Sequence, residues 1–390
     1  MKFKGLHLLY FITVFVTFML SDALKLRQSN HIRKSIKSED GDVIDCVEIF
    51  DQPAFDHPLL KNHTMKMKPS YGPEELFRDQ DTMSASNANT KQKTITHVWQ
   101  LSGECPDGTI PIRRTGKHDF LRNIFKFKKR HRNINNRPLS SSNGSDSVDI
   151  AVHEYAYSTV AMGGKYYGTK VTVSAWQPYV KNGLLVTSSA MLEGRGTSER
   201  FVVFPHLLWD NHTRLFSDDY TSTGCWNLMC SGFVQVSNEI VVGGAIANFS
   251  SDHLYSEISI LVWKDQKQDV WWLKYNGTTV GYWPATLFNR LNDSAQLIEC
   301  GGEIINSMIN GTHTATQMGN GQFPNEKLER ASYFMNIEIM NQTMALGPPP
   351  GGNILGTATN QDCYNISVGK NDTWGNFFYY GGPGRNPNCP

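Results

Sequence analysis

The chain of 390 residues lacks an excess of charge of either sign, since 37 basic residues stand against 36 acidic ones. Without a basic surplus, the composition does not favour nucleic acid as the main partner. Long apolar runs are also missing: after the N-terminal region, no stretch reaches the roughly 18 apolar residues that a membrane-spanning helix needs. Helical periodicity is scarce, and the second half of the chain shows no long helical pattern. We therefore expect a protein whose partners are neither nucleic acid nor a membrane.

A metal-binding pattern is absent as well, because no C-x-x-C pair occurs and no histidine follows a cysteine at zinc-ligand spacing. We expect disulfides instead, with one thiol left over among the seven cysteines. The spacing predicts three pairs: Cys46 with Cys105, Cys225 with Cys230, and Cys363 with Cys389. Cys300 is then the unpaired residue, which we interpret as a buried thiol, with a nucleophilic thiol as the alternative.

The N-terminus carries Lys2 and Lys4, an apolar run over 8–20 and small residues at 21–23, which is the pattern of a secretory signal peptide. We expect residues 1–23 to be removed and the mature protein to be secreted, soluble and free of the membrane. Sequons of the N-x-S/T type agree with export and predict glycosylation. They are Asn62, Asn143, Asn211, Asn248, Asn276, Asn292, Asn310, Asn341, Asn365 and Asn371.

Residues 24–116 predict a small module held by a disulfide. A strand pattern over 41–50 is followed by Pro53 and Pro58, which cannot continue a strand, and a Pro-Asp-Gly turn precedes a second short strand near 109–114. Basic and serine residues then crowd together over 117–147. With interleaved phenylalanines this stretch has some likeness to an RNA-binding strip, but the signal peptide favours a protease-accessible linker between two folded parts.

Residues 148–390 alternate between short β-type runs and Gly, Asn or Pro breaks. Clean alternation occurs over 171–176, and residues 264–275 have the pattern of a hairpin. Many short strands at this spacing predict an all-β fold, an antiparallel β-sandwich of the jelly-roll kind.

Glu303 lies in an apolar, β-branched run over 297–305 that Gly301 and Gly302 interrupt. Glycine inside a strand is typical of a bulge or of a close approach by a ligand backbone. The carboxylate is therefore a candidate to face an extended substrate; the alternative is a solvated acid or the partner of a lysine. Glu299 falls on the same predicted face about 13 Å away, and we interpret it as a rim or structural acid.

Motifs in both halves of the chain, in the right order, resemble the neprosin family of secreted plant glutamic endopeptidases, which cleave on the C-terminal side of proline. In the first half these are Asp45-Cys46-Val47, Gln52-Pro53-Ala54-Phe55-Asp56-His57-Pro58 and Gly103-Glu104-Cys105-Pro106. In the second half they are Thr221-Ser222-Thr223-Gly224-Cys225, Val280-Gly281-Tyr282-Trp283-Pro284, Gly301-Gly302-Glu303-Ile304, Thr316-Gln317-Met318-Gly319 and Tyr380-Gly381-Gly382-Pro383-Gly384.

The resemblance implies a β-sandwich peptidase domain, a removable activation peptide, and two glutamates that act without metal or cofactor. Glu303 matches one of them through its Gly-Gly-Glu context. Counting back from Pro205 without a gap puts Ser198 at the second position, and a deletion of one residue brings Glu199 there. We assign the pair as Glu303 and Glu199, one ionised to activate water and the other protonated to serve the leaving amine.

The sequence thus predicts a monomeric zymogen whose segment before residue 147 covers the groove, and whose peptidase domain cleaves proline-containing peptides at acid pH. Trp271, Tyr282 and Trp283 are candidates to line that groove, because proline rings stack on aromatic faces. One alternative is a catalytically impaired homologue that binds partners in the extracellular matrix or cell wall. A sugar-binding or sugar-hydrolysing jelly roll is another, since paired carboxylates with aromatics also suit sugars.

Overall fold

Strands dominate the computed structural model of the chain, and none of the helices among its described residues is long and apolar enough to cross a membrane. The structure describes residues 31–73, 97–115, 151–181, 186–193, 200–207, 212–219, 227–229, 231–247, 256–307, 312–326 and 330–390. The predicted signal peptide and the predicted basic linker lie outside these ranges.

The first segment forms a small antiparallel sheet of three strands, β1 (Ile32–Lys37), β2 (Val43–Glu48) and β3 (Thr109–Arg113). A disulfide between Cys46 and Cys105 ties β2 to the turn before β3, with the Cα atoms 5.5 Å apart. Three 3-10 turns follow β2, and prolines begin the second and third of them, because proline lacks the N–H that a continuing ladder needs. The expected small module with its own disulfide is present.

The second segment forms two antiparallel sheets packed face to face, so the expected β-sandwich is confirmed. Its strands are β4 (Ala151–Tyr166), β5 (Gly168–Ser174), β6 (Val186–Glu193), β7 (Arg200–Leu207), β8 (Thr213–Asp219), β9 (Val234–Gln235), β10 (Glu257–Asp265), β11 (Val270–Tyr275), β12 (Thr278–Pro284), β13 (Ala295–Ser307), β14 (Ser332–Met340), β15 (Leu346–Gly347), β16 (Leu355–Ala358), β17 (Asn365–Asn371) and β18 (Gly375–Gly381). One sheet has nine strands, in the order β17-β18-β14-β5-β10-β11-β12-β9 with β15 beside β14, and the other has six, in the order β16-β4-β13-β6-β7-β8.

Strand β11 shows how the alternation of side chains builds the core. It pairs with β10 as the predicted hairpin, with Asp265 opposite Val270. Trp271 and Leu273 point between the two sheets, whereas Trp272 belongs to a separate apolar cluster on the other side of the nine-stranded sheet. Each tryptophan is fully buried, and truncating such a side chain to alanine typically costs about 3–5 kcal/mol.

The first segment covers that other side of the nine-stranded sheet. Ala54 and Leu60 join Trp272 and Tyr282 in the apolar cluster. The Tyr282 hydroxyl accepts a hydrogen bond from the backbone N–H of Lys66 at 2.9 Å. The segment therefore buries aromatic side chains that the sandwich alone leaves on its surface.

The small sheet also closes one edge of the sandwich. Apolar side chains of β2 and β3, such as Val47 and Ile110, are part of the main core cluster. Beyond β8, backbone bridges link Arg214 to Ala245 and His97 to Ile246. The six-stranded sheet is thus extended by residues of the first segment, which is more closely integrated with the main core than the sequence predicts.

Candidate active site

Alternation along β13 decides which side chains leave the core. Cys300 and Ile304 are buried between the sheets, so Glu299 and Glu303 share the opposite face of the six-stranded sheet, as expected. Burial raises the pKa of the Cys300 thiol above its usual range. Because a thiolate is the nucleophilic form, this supports the interpretation of Cys300 as an inert buried thiol.

The glycine pair of β13 has a packing role. A Cβ atom at Gly301 would lie 2.4 Å from the Cα of Tyr157 on β4, and one at Gly302 would lie 2.6 Å from the sulfur of Met318. The register shifts between β4 and β13 fall between Ala295 and Leu297 and between Ile298 and Glu299 instead. The bulge or ligand-backbone approach that the sequence predicts at these glycines is therefore replaced by close contact within the protein.

The carboxylate of Glu303 is held by two side chains of β4. Its Oε1 lies 2.6 Å from Nδ1 of His153 and accepts a hydrogen bond from the Tyr155 hydroxyl at 3.2 Å. The Glu303 side chain is 16% exposed and that of His153 is 28% exposed. Charge-assisted hydrogen bonds of this kind are short and fix the orientation of the acceptor. The carboxyl group is thus oriented and reachable from outside the sheet.

An aromatic strip runs along β4 beside this carboxylate. The rings of His153 and Tyr155 are stacked with centroids 6.2 Å apart, and those of Tyr155 and Tyr157 meet edge to face at 6.3 Å. All three are partly exposed, while the intervening Glu154 and Ala156 are buried. Sequence reasoning missed this strip, although the alternation of its residue types over 153–159 is the signal that reveals it.

The two candidates for the second acid, Glu199 and Ser198, lie outside the described residues. Strand β7 begins with the next residue, Arg200, which pairs with Glu193 on β6. Glu193 in turn pairs with Leu297 on β13. From Leu297 to the glutamate at 303 the strand runs about 20 Å. The described register thus leaves the start of β7 well along the sheet from the oriented carboxylate.

The aromatic residues proposed for the groove lie elsewhere, which is a correction to the sequence prediction. Trp271 and Trp283 are in the core between the sheets, with 0% and 1% of their surface exposed. Tyr282 faces the first segment, and its hydroxyl lies 2.8 Å from Nε2 of His63. The reason is alternation: neighbouring residues of β11 and β12 point to opposite faces of the nine-stranded sheet, whereas Glu303 is on the other sheet.

A second polar cluster lies on the core side of β4. Oε1 of Glu154 accepts hydrogen bonds from Nε2 of His313 at 2.8 Å and from the Asn306 amide at 2.9 Å. His313 and Glu154 form an ion pair in which both side chains are buried. His313 also lies close to the sulfurs of Cys363 and Cys389, but these form a disulfide, and metal binding needs thiolates. We therefore interpret the cluster as structural.

We expect His313→Gln to destabilise the protein more in acid than in base. Burial alone lowers the pKa of His313, but hydrogen bonds to Glu154 and to the Thr314 carbonyl outweigh it, so the pKa lies above 6.5. The stabilisation that the ion pair of His313 with Glu154 provides is then complete below pH 6.5 and is lost as the pH rises through the folded-state pKa of His313. Chemical denaturation at about pH 5 should show a loss of about 3 kcal/mol, and a smaller loss at about pH 8. Equal losses at both pH values would contradict this account.

Of the three predicted disulfides, those of Cys46 with Cys105 and Cys363 with Cys389 are present, while Cys225 and Cys230 lie outside the described residues. Six sequon asparagines fall in the described ranges. Asn365 is partly exposed, and the exposed ones are Asn62, Asn276, Asn292, Asn341 and Asn371. Glycosylation stays a prediction at these positions, and also at the four that lie outside the described ranges, Asn143, Asn211, Asn248 and Asn310.

Two family models match the chain: the one described as Neprosin over residues 196–383 and the one described as Neprosin activation peptide over residues 35–159. Among solved structures, Scytalido-glutamic peptidase with a peptide-based transition state analog is 11% identical, with 59% of this chain and 98% of that one covered and a TM-score of 0.35. SCP-B, a member of the Eqolisin family of peptidases in complex with the tripeptide Ala-Ile-His, is also 11% identical. The match covers 59% of this chain and 98% of that one, with a TM-score of 0.34. A tetrameric galectin from the ball sponge Cinachyrella sp. is 14% identical, and the match covers 38% of this chain and 87% of that one, with a TM-score of 0.23.

Proposed function

Because this chain belongs to the neprosin family, we propose that it is a secreted glutamic endopeptidase that cleaves peptides after proline at acid pH. The observation that carries the proposal is the carboxylate of Glu303, which Tyr155 and His153 orient on the outward face of the six-stranded sheet. A fixed, partly exposed carboxylate of this kind is what general acid–base hydrolysis requires. Neither a metal nor a cofactor takes part in the proposed reaction.

The reaction needs two carboxyl groups. An ionised one takes a proton from water while the water oxygen attacks the carbonyl carbon, and a protonated one delivers a proton to the nitrogen as the C–N bond breaks. We propose Glu303 as one member and Glu199 as the other. The family resemblance supports Glu199 only when a deletion of one residue is allowed, and the next residue, Arg200, pairs with Glu193 about 20 Å along the sheet from Glu303.

The aromatic strip next to Glu303 supports peptides rich in proline as substrates. Tyr155 and Tyr157 present partly exposed rings on the same face as the carboxylate. Proline-containing segments are already extended and pack well on aromatic surfaces. In our proposal these tyrosines take the stacking role that the sequence predicts for Trp271 and Trp283.

One experiment tests the proposal and the choice of the second acid. A peptide with one internal proline is incubated at several pH values with wild-type protein, Glu303→Gln, Glu199→Gln and Ser198→Glu. Loss of cleavage in both glutamine variants supports the pair. Inactive wild-type protein with activity gained in Ser198→Glu places the second carboxyl at position 198. Cleavage that a chelator or a thiol reagent abolishes refutes the mechanism.

A second candidate function is a secreted binding protein that keeps the aromatic strip and Glu303 without catalysis. The position of Arg200 favours this second function. Arg200 directly follows the proposed second acid in the sequence, and it lies about 20 Å along the sheet from Glu303. Binding of a proline-rich peptide to Glu303→Gln and wild-type protein alike, with no hydrolysis by either and none by Ser198→Glu, supports this function over the first.

We also propose that the activation peptide is removed by cleavage between residues 117 and 147. Self-cleavage after Pro138, the only proline of that stretch, predicts a new N-terminus at Leu139. N-terminal sequencing of acid-treated protein measures it. A new N-terminus that follows a basic residue and is also found in Glu303→Gln shows instead that another protease makes the cut.

A further inference from the structure

We propose that His153 is a positioning residue that keeps Glu303 ionised in acid, so that Glu303 is the general base of the reaction. The inference rests on the proposed function and deepens it, because it assigns different roles to the two carboxyl groups. It starts from the 2.6 Å contact between Nδ1 of His153 and Oε1 of Glu303.

The contact follows from the register of two neighbouring strands. Tyr155 on β4 is directly opposite Glu303 on β13, and His153 is opposite Ile305. His153 and Glu303 are thus diagonal neighbours on one face, a spacing that long side chains bridge. The stacked ring of Tyr155 supports the imidazole, with an angle of 19° between the ring planes. Packing on one side and the carboxylate on the other therefore fix the imidazole.

The groups around the pair come from β13, β16 and β6. Glu299 occupies the same face of β13, where its Oε1 accepts a hydrogen bond from the Thr159 hydroxyl. On the far side of β4, strand β16 places Thr357 opposite Tyr157. Towards β6, the Cα partner of Glu303 is Thr187. Neither threonine titrates, and Glu299 lies about 13 Å from Glu303 along β13.

Further across the sheet, His206 on β7 pairs with Thr187 and with Arg214 on β8. The guanidinium of Arg214 is bound to Asp42 at 2.5 Å, so its charge is already compensated. Oppositely charged groups act most strongly on a carboxyl group within about 4–6 Å. By that criterion, His153 is close enough to act on Glu303, since its Nδ1 lies 2.6 Å from the carboxylate.

The assignment balances the protons of the reaction. In acid the imidazolium donates its Nδ1–H to the carboxylate of Glu303 and keeps that proton throughout. The carboxylate takes a proton from water, whose oxygen forms the new bond to the peptide carbonyl carbon. The second acid then protonates the nitrogen as the C–N bond breaks, and Glu303 releases its proton to regenerate that acid. His153 orients the base and favours its charged form without itself exchanging a proton.

The pH profile of kcat/KM for a proline-containing peptide tests the role of His153. His153→Gln keeps a hydrogen-bond donor but cannot carry charge. Its acid limb should lie about one pH unit or more above that of wild-type protein, so that the rate falls about tenfold at the foot of the limb and much less at the optimum. Tyr155→Phe is the matched control, because it removes the other donor to Oε1 without changing charge. Its acid limb should move less than that of His153→Gln, because a neutral hydroxyl donor favours the ionised carboxyl less than a neighbouring positive charge does.

A second readout does not depend on activity. At acid pH the shared Nδ1–H proton should give a low-field proton NMR resonance that Tyr155→Phe keeps and that both His153→Gln and Glu303→Gln lose. If peptide is cleaved but His153→Gln keeps the wild-type acid limb, or loses the same fraction of activity at every pH, the role of His153 is refuted and the proposed function stands. If the resonance behaves as expected but no peptide is cleaved, the proposed function fails although the pairing is real.

Discussion

Replacing Asp42 by alanine is expected to lower the free energy of unfolding by about 3–5 kcal/mol, because it leaves a buried guanidinium without its carboxylate. The Arg214 side chain is fully buried and that of Asp42 is 8% exposed. Arg214 binds Asp42 through Nη1 and Nη2, and Nη1 also donates to the Gly243 carbonyl at 3.1 Å. The pair joins the first segment to β8, so its loss should weaken the attachment of the small sheet to the sandwich.

Chemical denaturation of the full chain measures this effect, with Asp293→Ala as the matched control. Asp293 forms an ion pair with Lys165 in which both side chains are more than half exposed, and such solvent-screened pairs contribute little to stability. The double variant Asp42→Ala with Arg214→Met should recover part of the loss, since it removes both buried charges. A loss in Asp42→Ala no greater than that of the control would contradict the interpretation.

Glu303→Gln is expected to reduce cleavage of a proline-containing peptide by roughly 10²-fold or more. The substitution keeps the shape and the hydrogen-bonding capacity of the side chain but removes the group that exchanges a proton with water. The loss should appear in kcat rather than in KM, because the aromatic strip that holds the substrate is unchanged.

Glu299→Gln is the control for this result. Glu299 lies on the same strand and face, and its carboxylate is bound by Thr159 at 3.1 Å. Because we interpret Glu299 as a rim acid, the Glu299→Gln variant should retain most of the activity. An equal loss in both variants would mean that the general negative charge of the face matters, and not the chemistry of Glu303.

Local patterns in the sequence predict much of this fold. The alternation over 264–275 predicts the β10–β11 hairpin, and the spacing of Cys363 and Cys389 predicts their disulfide. The face of β13 that carries Glu303 follows from the apolar residues on either side. These features depend on near neighbours along the chain, where steric preference and burial act directly.

The partners of Glu303 could not be predicted because they come from a distant part of the chain. His153 and the glutamate are separated by 150 positions, and only the pairing of β4 with β13 brings them together. Trp271 and Trp283 show the same limit. Their residue type suits a groove as well as a core, and the sheet to which a strand belongs decides between the two.

Mass spectrometry of cleavage products tests the central claim most directly. Two peptides that differ only by an internal proline or alanine are incubated at acid pH with wild-type protein and with Glu303→Gln. The account predicts one cut, after the proline, made by wild-type protein alone, with the alanine peptide left intact. Equal cleavage of both peptides, or cleavage of the proline peptide by Glu303→Gln at the wild-type rate, would contradict it.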